Sequence, residues 1–263
     1  MASLDFIENT LQGYRFVWRY RGYLLQNAIA VIFIKTFCLL FIFQSGITAN
    51  PLREGLFLMP SHVIEGFFLI NLLRFCLYRE PIYIWGKPVV LKDTPITGAP
   101  MISRAQALKL GVGFYLLVKV VLGLLIGLIA MLVPLDLKPD DPPTPEKAIL
   151  SLVLLSVLFW GLRLLWVYIP AALGVPIFEF FRKISGFHSS LYFLGVVILS
   201  SGPLLFVYAI MANVIEHILE NSRGLGFIMN AFLQSFIIVV TLSIQTVAFS
   251  LGVSALMSER DKS

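Results

Sequence analysis

The sequence predicts an all-α fold, a polytopic transmembrane helical bundle of about six spans with both termini cytoplasmic. Three observations lead there. Hydrophobic residues make up 58% of the 263 residues and charged residues 13%. The mean hydropathy is +0.88. Apolar runs of about 20 residues recur between charged or Pro/Gly-rich breaks, and about 20 residues of helix cross a hydrocarbon layer about 30 Å thick. A disordered chain, a collagen, a coiled coil and a disulfide-stapled secreted domain are excluded, since none combines long apolar runs with so little charge. Cys38 and Cys76 sit inside apolar runs without metal-ligand spacing and read as buried apolar fillers.

Residues 1–23 form the first element. Leu4, Ile7, Leu11, Tyr14 and Trp18 recur at three and four residues, the spacing of an amphipathic helix lying on the inner membrane surface, with Arg15, Arg19 and Arg21 near anionic headgroups. Asp5, Glu8 and the RFVWRYR run, with no small-residue cleavage site, argue against a cleavable signal, so the first span is expected to stay as an anchor. Residues 24–257 hold the spans: Leu24 to Phe43, Ser61 to Tyr78, Leu110 to Val133, Ala148 to Pro170, Leu191 to Ala212 and Phe227 to Met257. The second carries His62, Glu65, Asn71 and Arg74 and is therefore the weakest, with a re-entrant segment as its alternative. Residues 258–263 make a short cytoplasmic tail. The loop from Arg79 to Arg104 holds four prolines and cannot be one long helix, and KPDDPPTPEK, Lys138 to Lys147, reads as a stiff extended connector.

Lys/Arg placement sets the orientation. The amino-terminal arm, the loops after spans two and four and the tail share one side and carry 12 basic residues, against four (Arg53, Lys138, Lys147, Arg223) on the other. Basic residues collect on the cytoplasmic side, which also accounts for the net charge of +5 without a nucleic-acid partner. A bacterial inner membrane is the default location.

Ionisable residues at membrane depth cost roughly 2.5 to 3.5 kcal/mol for Lys or Arg at the centre and so mark candidate sites. At about 1.5 Å per residue, Arg74, Arg163, Lys119 and Lys35 fall roughly 6, 10, 14 and 16 Å from the inner boundary. If they converge, they form a basic pocket at the cytoplasmic leaflet for an anionic lipid headgroup or small anionic substrate. Snorkelling of Arg74 and Arg163 to the headgroups is the competing reading. Lys35 also has Glu65 as a possible partner, about 8 Å farther out along the axis. On the outer side His62, Glu65, Glu216 and His217 are weak candidates for a metal or, through two histidines, a haem. No metal or other cofactor is expected from so few ligands.

Two short matches, Arg15-x-x-Trp18 with Val63-Ile64-Glu65 and Arg163-x-x-Trp166 with Val214-Ile215-Glu216, raise the question of an internal duplication. Gly123-x-x-x-Gly127 permits close helix packing, and Ser200-Ser201-Gly202-Pro203 is expected to bend or unwind its span. Nucleotide-binding glycine loops, HExxH and GxSxG are absent, and no catalytic pair is visible at one depth, so nothing supports an enzyme. The leading expectation is a non-enzymatic subunit or scaffold of a membrane complex, with other membrane subunits and lipids, anionic ones included, as partners. The alternative is a small transporter or lipid-handling protein using Lys35, Arg74, Lys119 and Arg163, and a haem or metal redox subunit comes third.

Overall fold

Helix formation begins at Asp5. In the computed structural model its Oδ1 accepts hydrogen bonds from the amides of Ile7 (2.9 Å) and Glu8 (3.1 Å), satisfying two of the donors a helix start leaves free. The structure describes residues 5–46, 51–82, 100–132, 164–184, 186–218 and 222–258. These form α1 (Phe6–Arg19), α2 (Arg21–Ser45), α3 (Pro51–Tyr78), α4 (Arg104–Leu132), a 3-10 turn (Leu164–Trp166), α5 (Tyr168–Leu173), α6 (Ile177–Lys183), α7 (Phe187–Ile218) and α8 (Arg223–Ser258), and among the described residues there is no strand. The chain is thus an all-α bundle.

Five of these helices, α2, α3, α4, α7 and α8, are long and apolar enough to cross a membrane. They correspond to five of the expected spans; most of the fourth, and Arg163 with it, lies outside the described residues. The weak second span is one continuous helix of 28 residues. Its polar side chains find partners within the bundle, which is why it can be a full-length helix despite its diluted hydropathy.

Helix α8 is the hub, packing against α1, α2, α3 and α7. Lipid tails are as apolar as leucine, so burial of greasy surface does not drive helices together in a bilayer, and close backbone approach at small residues does. Its buried face accordingly includes Ala231, Ser235, Ser243, Thr246, Ala248 and Ser250 among the larger Ile237, Val239, Ile244, Val247 and Val253, with Phe249 packed against Trp166 (ring centroids 3.9 Å apart) and Phe193 (5.0 Å). Ser235 and Ser243 return their hydroxyls to the carbonyls of Ala231 and Val239, so burying them leaves no orphan donor. The large side chains Ile198, Leu205, Phe206 and Ile210 of α7 stay exposed, which suits a lipid-facing helix.

The arm contains a helix, α1, and that helix has three faces. Phe6, Thr10, Gly13 and Val17 turn toward α7 and α8, and a Cβ on Gly13 would stand 2.8 Å from the Ile244 carbonyl oxygen, so only glycine permits this approach. Ile7, Leu11 and Trp18, the stripe seen in the sequence, do not pack on the bundle and remain exposed. Glu8, Gln12, Arg15 and Arg19 occupy the third face at helical spacing.

Two sequence expectations change here. The Ser-Ser-Gly-Pro element does not unwind α7, which runs through Pro203 as helix. Proline removes the amide that would have served the Leu199 carbonyl, and the Tyr14 hydroxyl of α1 supplies a donor instead, 3.2 Å from that oxygen and 2.9 Å from the Ser200 carbonyl. The duplicated motifs do not occupy equivalent places: Trp18 is exposed and Trp166 buried, whereas Glu65 is buried and Glu216 exposed.

Candidate functional site

Two clusters of buried charge lie along α3, and they are built differently. The first occupies its carboxyl-terminal end. Arg74 is buried, and its guanidinium donates to both oxygens of Glu80 at 2.7 and 2.6 Å, to the Ile102 carbonyl at about 3.4 Å, and stacks over the Tyr78 ring. Glu80 reaches it because the helix ends at Tyr78 and Arg79 turns the chain back with a left-handed φ of 60°. Arg104 of α4 bonds Asn71 across the same interface. The Tyr23 hydroxyl accepts from the Ile82 amide at 2.7 Å and donates to the Ile82 carbonyl at 3.0 Å, closing the turn against α2. Arg74, Glu80 and Arg104 thus each have a partner of opposite sign or a carbonyl oxygen.

The second cluster sits in the middle of the spans. Lys35 of α2 and Glu65 of α3 are both buried, with Lys35 Nζ 2.8 Å from Glu65 Oε2. His62, one turn earlier on α3, places Nδ1 3.2 Å from the same oxygen. The other carboxylate oxygen, Oε1, has no hydrogen-bond partner, and neither has the buried hydroxyl of Tyr115, which stands beside Glu65 on α4. Lys119 of α4 lies one turn beyond Tyr115 with its ammonium 5.3 Å from the ring centroid. Among the described residues no carboxylate comes within 4.0 Å of that ammonium. Glu65 already serves Lys35 and His62, so the cluster carries one positive charge more than it can neutralise.

Gly66 brings α3 and α4 together at this level: a Cβ there would be 2.9 Å from the Tyr115 ring. Beyond that contact, toward the Pro51 end of α3, a cleft of about 280 Å³ opens between the two helices. Helix α3 lines it with Gly55, Leu56, Met59 and His62, and α4 with Lys119, Val120, Gly123 and Leu124. Leu56, Val120 and Leu124 are exposed, so the cleft opens on the surface that a bilayer would cover. Pro60 deprives the Leu56 carbonyl of its usual helical donor within the same stretch. Among the described residues no atom lies within 4 Å of a would-be Cβ on Gly123, which leaves room in the cleft; Gly127, its expected packing partner in the motif, lies outside the described side chains.

The four expected basic residues therefore part company. Lys35 and Lys119 meet around Glu65, Arg74 belongs to the separate closed cluster, and Arg163 lies outside the described residues. A single cytoplasmic-leaflet pocket of Lys35, Arg74 and Lys119 is not what the helices build. Positions along the helices explain this: the cleft lies on the Pro51 side of Glu65, whereas Arg74 is more than two turns away toward Tyr78. The Lys35–Glu65 pairing closes the expected axial gap because a lysine stem is long enough to bridge it. Glu80 and Tyr115 were missed, the first because it follows a helix end, the second because a tyrosine in an apolar run carries no charge signal.

Of the weak metal candidates, His62 and Glu65 are adjacent, but Glu216 and His217 lie exposed near the end of α7 and do not join them. Among the described residues no three His, Cys, Asp or Glu side chains gather as a metal would require. What the arrangement can do is hold an anion: an ammonium at membrane depth, short of a counter-charge, faces a cleft otherwise walled by apolar residues. Comparison with known protein families, with curated proteins and with solved structures finds no match to this chain.

Proposed function

We propose that this multi-pass membrane protein takes an amphipathic anion, an acid or phosphate head on an apolar body, into the cleft between α3 and α4, as a small transporter or lipid-handling protein. The observation that carries the reading is Lys119, whose ammonium lines an apolar cleft without a carboxylate partner among the described residues, while the neighbouring lysine has one. An unpaired ammonium at the bilayer centre costs about 3 kcal/mol, and a bound anion offsets that cost through a charge-assisted hydrogen bond at low dielectric. The apolar walls suit a hydrocarbon body lying alongside. Under the positive-inside orientation the cleft falls in the outer half of the bilayer, because α3 begins outside and Leu56 and Met59 precede Glu65.

The cleft beside Lys119 is what favours this reading over the expectation of a non-enzymatic subunit or scaffold. The test is binding of 1-decanesulfonate to the purified protein in neutral detergent, with 1-decanol as the uncharged counterpart and protein-free micelles as the baseline. Decanesulfonate is expected to bind at least about tenfold more tightly than decanol, and Lys119→Met to abolish that preference, a loss of about 1.4 kcal/mol or more. Equal binding of both probes by the wild-type protein would sink the proposal. A partner protein retained in fixed stoichiometry by native mass spectrometry, with no lipid or acid retained, would return the scaffold to first place.

A further inference from the structure

His62 belongs to both halves of the site, the carboxylate pair and the cleft. Its Nδ1 meets Glu65 Oε2 at 3.2 Å, and its ring also lines the cleft that holds Lys119. With Nδ1 directed to a carboxylate, Nε2 is the ring atom left to gain or lose a proton, and imidazole is the side chain whose ordinary titration falls nearest neutrality. Resting on the anion reading above, we infer that the site binds a proton together with its anion, His62 being the proton acceptor, so that the protein handles an anion and a proton as a unit.

The charged groups facing His62 are Glu65 on its own helix, Lys35 on α2 and Lys119 on α4. Tyr115 of α4 and Tyr168 of α5 stand near Glu65, and α8 carries no ionisable side chain after Arg223. Before the anion arrives, two lysines oppose a further positive charge and a single carboxylate favours it. An anion on Lys119 screens that lysine and adds a negative charge at the cleft wall, shifting the balance toward imidazolium. The step is closed in atoms and charge: a proton leaves solvent for Nε2, the Nδ1–H stays directed at Glu65, no bond of the anion breaks, and the bound pair adds no net charge to the membrane interior. Neutralising the cargo is what moving an anion through a low-dielectric layer requires.

Linkage supplies the sign. If the complex holds one more proton than the free protein, affinity rises as pH falls, up to tenfold per pH unit, and levels off once the free protein is itself protonated. The experiment is calorimetric titration of the full chain in neutral detergent with 1-decanesulfonate, whose head does not titrate, in two buffers of different ionisation heat from about pH 6 to about pH 9. Any proton taken up must then land on the protein. The expected result is uptake approaching one proton per ligand in the pH window where affinity changes with pH, falling away on either side of it. His62→Gln is expected to take up none and to bind at every pH with the weaker affinity the wild type shows at its alkaline limit. Binding without proton uptake across the range, or uptake that persists in His62→Gln, overturns the inference and leaves the anion reading standing. Absence of any binding by the wild-type chain overturns both. Where His62→Gln fails to fold, His62→Asn carries the same expectation, and proton uptake that persists in it overturns the inference equally.

Discussion

The Arg74 and Lys119 clusters set the same problem, a cation at the contact of α3 with α4, buried at Arg74 and half-buried at Lys119, and solve it in opposite ways. At Arg74 the chain doubles back through a left-handed Arg79 to deliver a bidentate carboxylate and adds the Ile102 carbonyl. At Lys119 the one nearby carboxylate is already engaged, two polar atoms are left without partners, and the space where a counter-charge would stand is an apolar cleft. A satisfied cluster holds helices together. An unsatisfied one costs stability and is retained for what it can bind. Arg79, in the turn beside Arg74, leaves its Nε and Nη1 buried without a hydrogen bond and faces the Phe16 ring, so the clusters differ in one respect, whether Arg74 or Lys119 has its own carboxylate.

The largest expected effect tests the closed side. Arg74→Met strips Glu80 of its partner and removes the link to Ile102, so thermal denaturation in detergent is expected to show a loss of about 3 kcal/mol, the low end for breaking a buried pair because Glu80 is partly exposed. Decanesulfonate affinity measured at a temperature where the variant is folded is expected to stay within about twofold of wild type. A loss of affinity with unchanged melting would erase the distinction and restore Arg74 to the anion site.

Next in size is a change that fills space without touching charge. Gly123→Leu places a side chain where no atom of the described residues lies within 4 Å of the added Cβ, so melting is expected to be unaltered or slightly raised, while decanesulfonate affinity falls by about tenfold as the hydrocarbon body loses its place. Gly66→Ala, by contrast, drives a methyl to 2.9 Å from the Tyr115 ring and is expected to cost about 1 to 3 kcal/mol, since the helices must part to accept it. Two small-residue positions on facing helices would then report opposite things, packing at one and vacancy at the other. If Gly123→Leu leaves affinity intact, the ligand does not occupy this cleft.

How much of this was legible in the sequence follows from which interactions are local. The apolar runs specified the long helices because 20 residues of low polarity have one stable arrangement in lipid. Lys35 and Glu65 were recognisable as partners because charge at membrane depth demands a partner and few candidates exist. Glu80 was not, because the chain reversal at Arg79 depends on a backbone conformation that arginine rarely adopts and no residue type announces. The stripe Ile7, Leu11 and Trp18 showed that α1 is amphipathic but not which side meets the protein. Thr10 and Gly13 make that face, and residues so small and so weakly apolar leave no mark on a pattern of greasy side chains. Gly123 read as a packing motif because spacing alone cannot distinguish a glycine that admits a helix from one that leaves room for something else.

The smallest effect separates the clusters by one and the same substitution. Tyr23 and Tyr115 are both tucked between helices, but the Tyr23 hydroxyl accepts from one backbone group and donates to another of the same residue, Ile82, while the Tyr115 hydroxyl has no partner. Removing the oxygen from Tyr23 leaves a backbone amide and carbonyl behind, so Tyr23→Phe is expected to cost about 1 to 2 kcal/mol. Removing it from Tyr115 leaves nothing unpaired and relieves an orphan, so Tyr115→Phe is expected to be neutral or to stabilise by about 1 kcal/mol in the absence of ligand. Its consequence should appear only in the complex, as a modest loss of decanesulfonate affinity where the phenol had contributed a donor beside Glu65. Equal destabilisation by the two substitutions would mean that Tyr115 is tied into the fold as Tyr23 is, that the central cluster is as complete as the one at Arg74, and that the surplus charge on Lys119 has been satisfied by the protein itself.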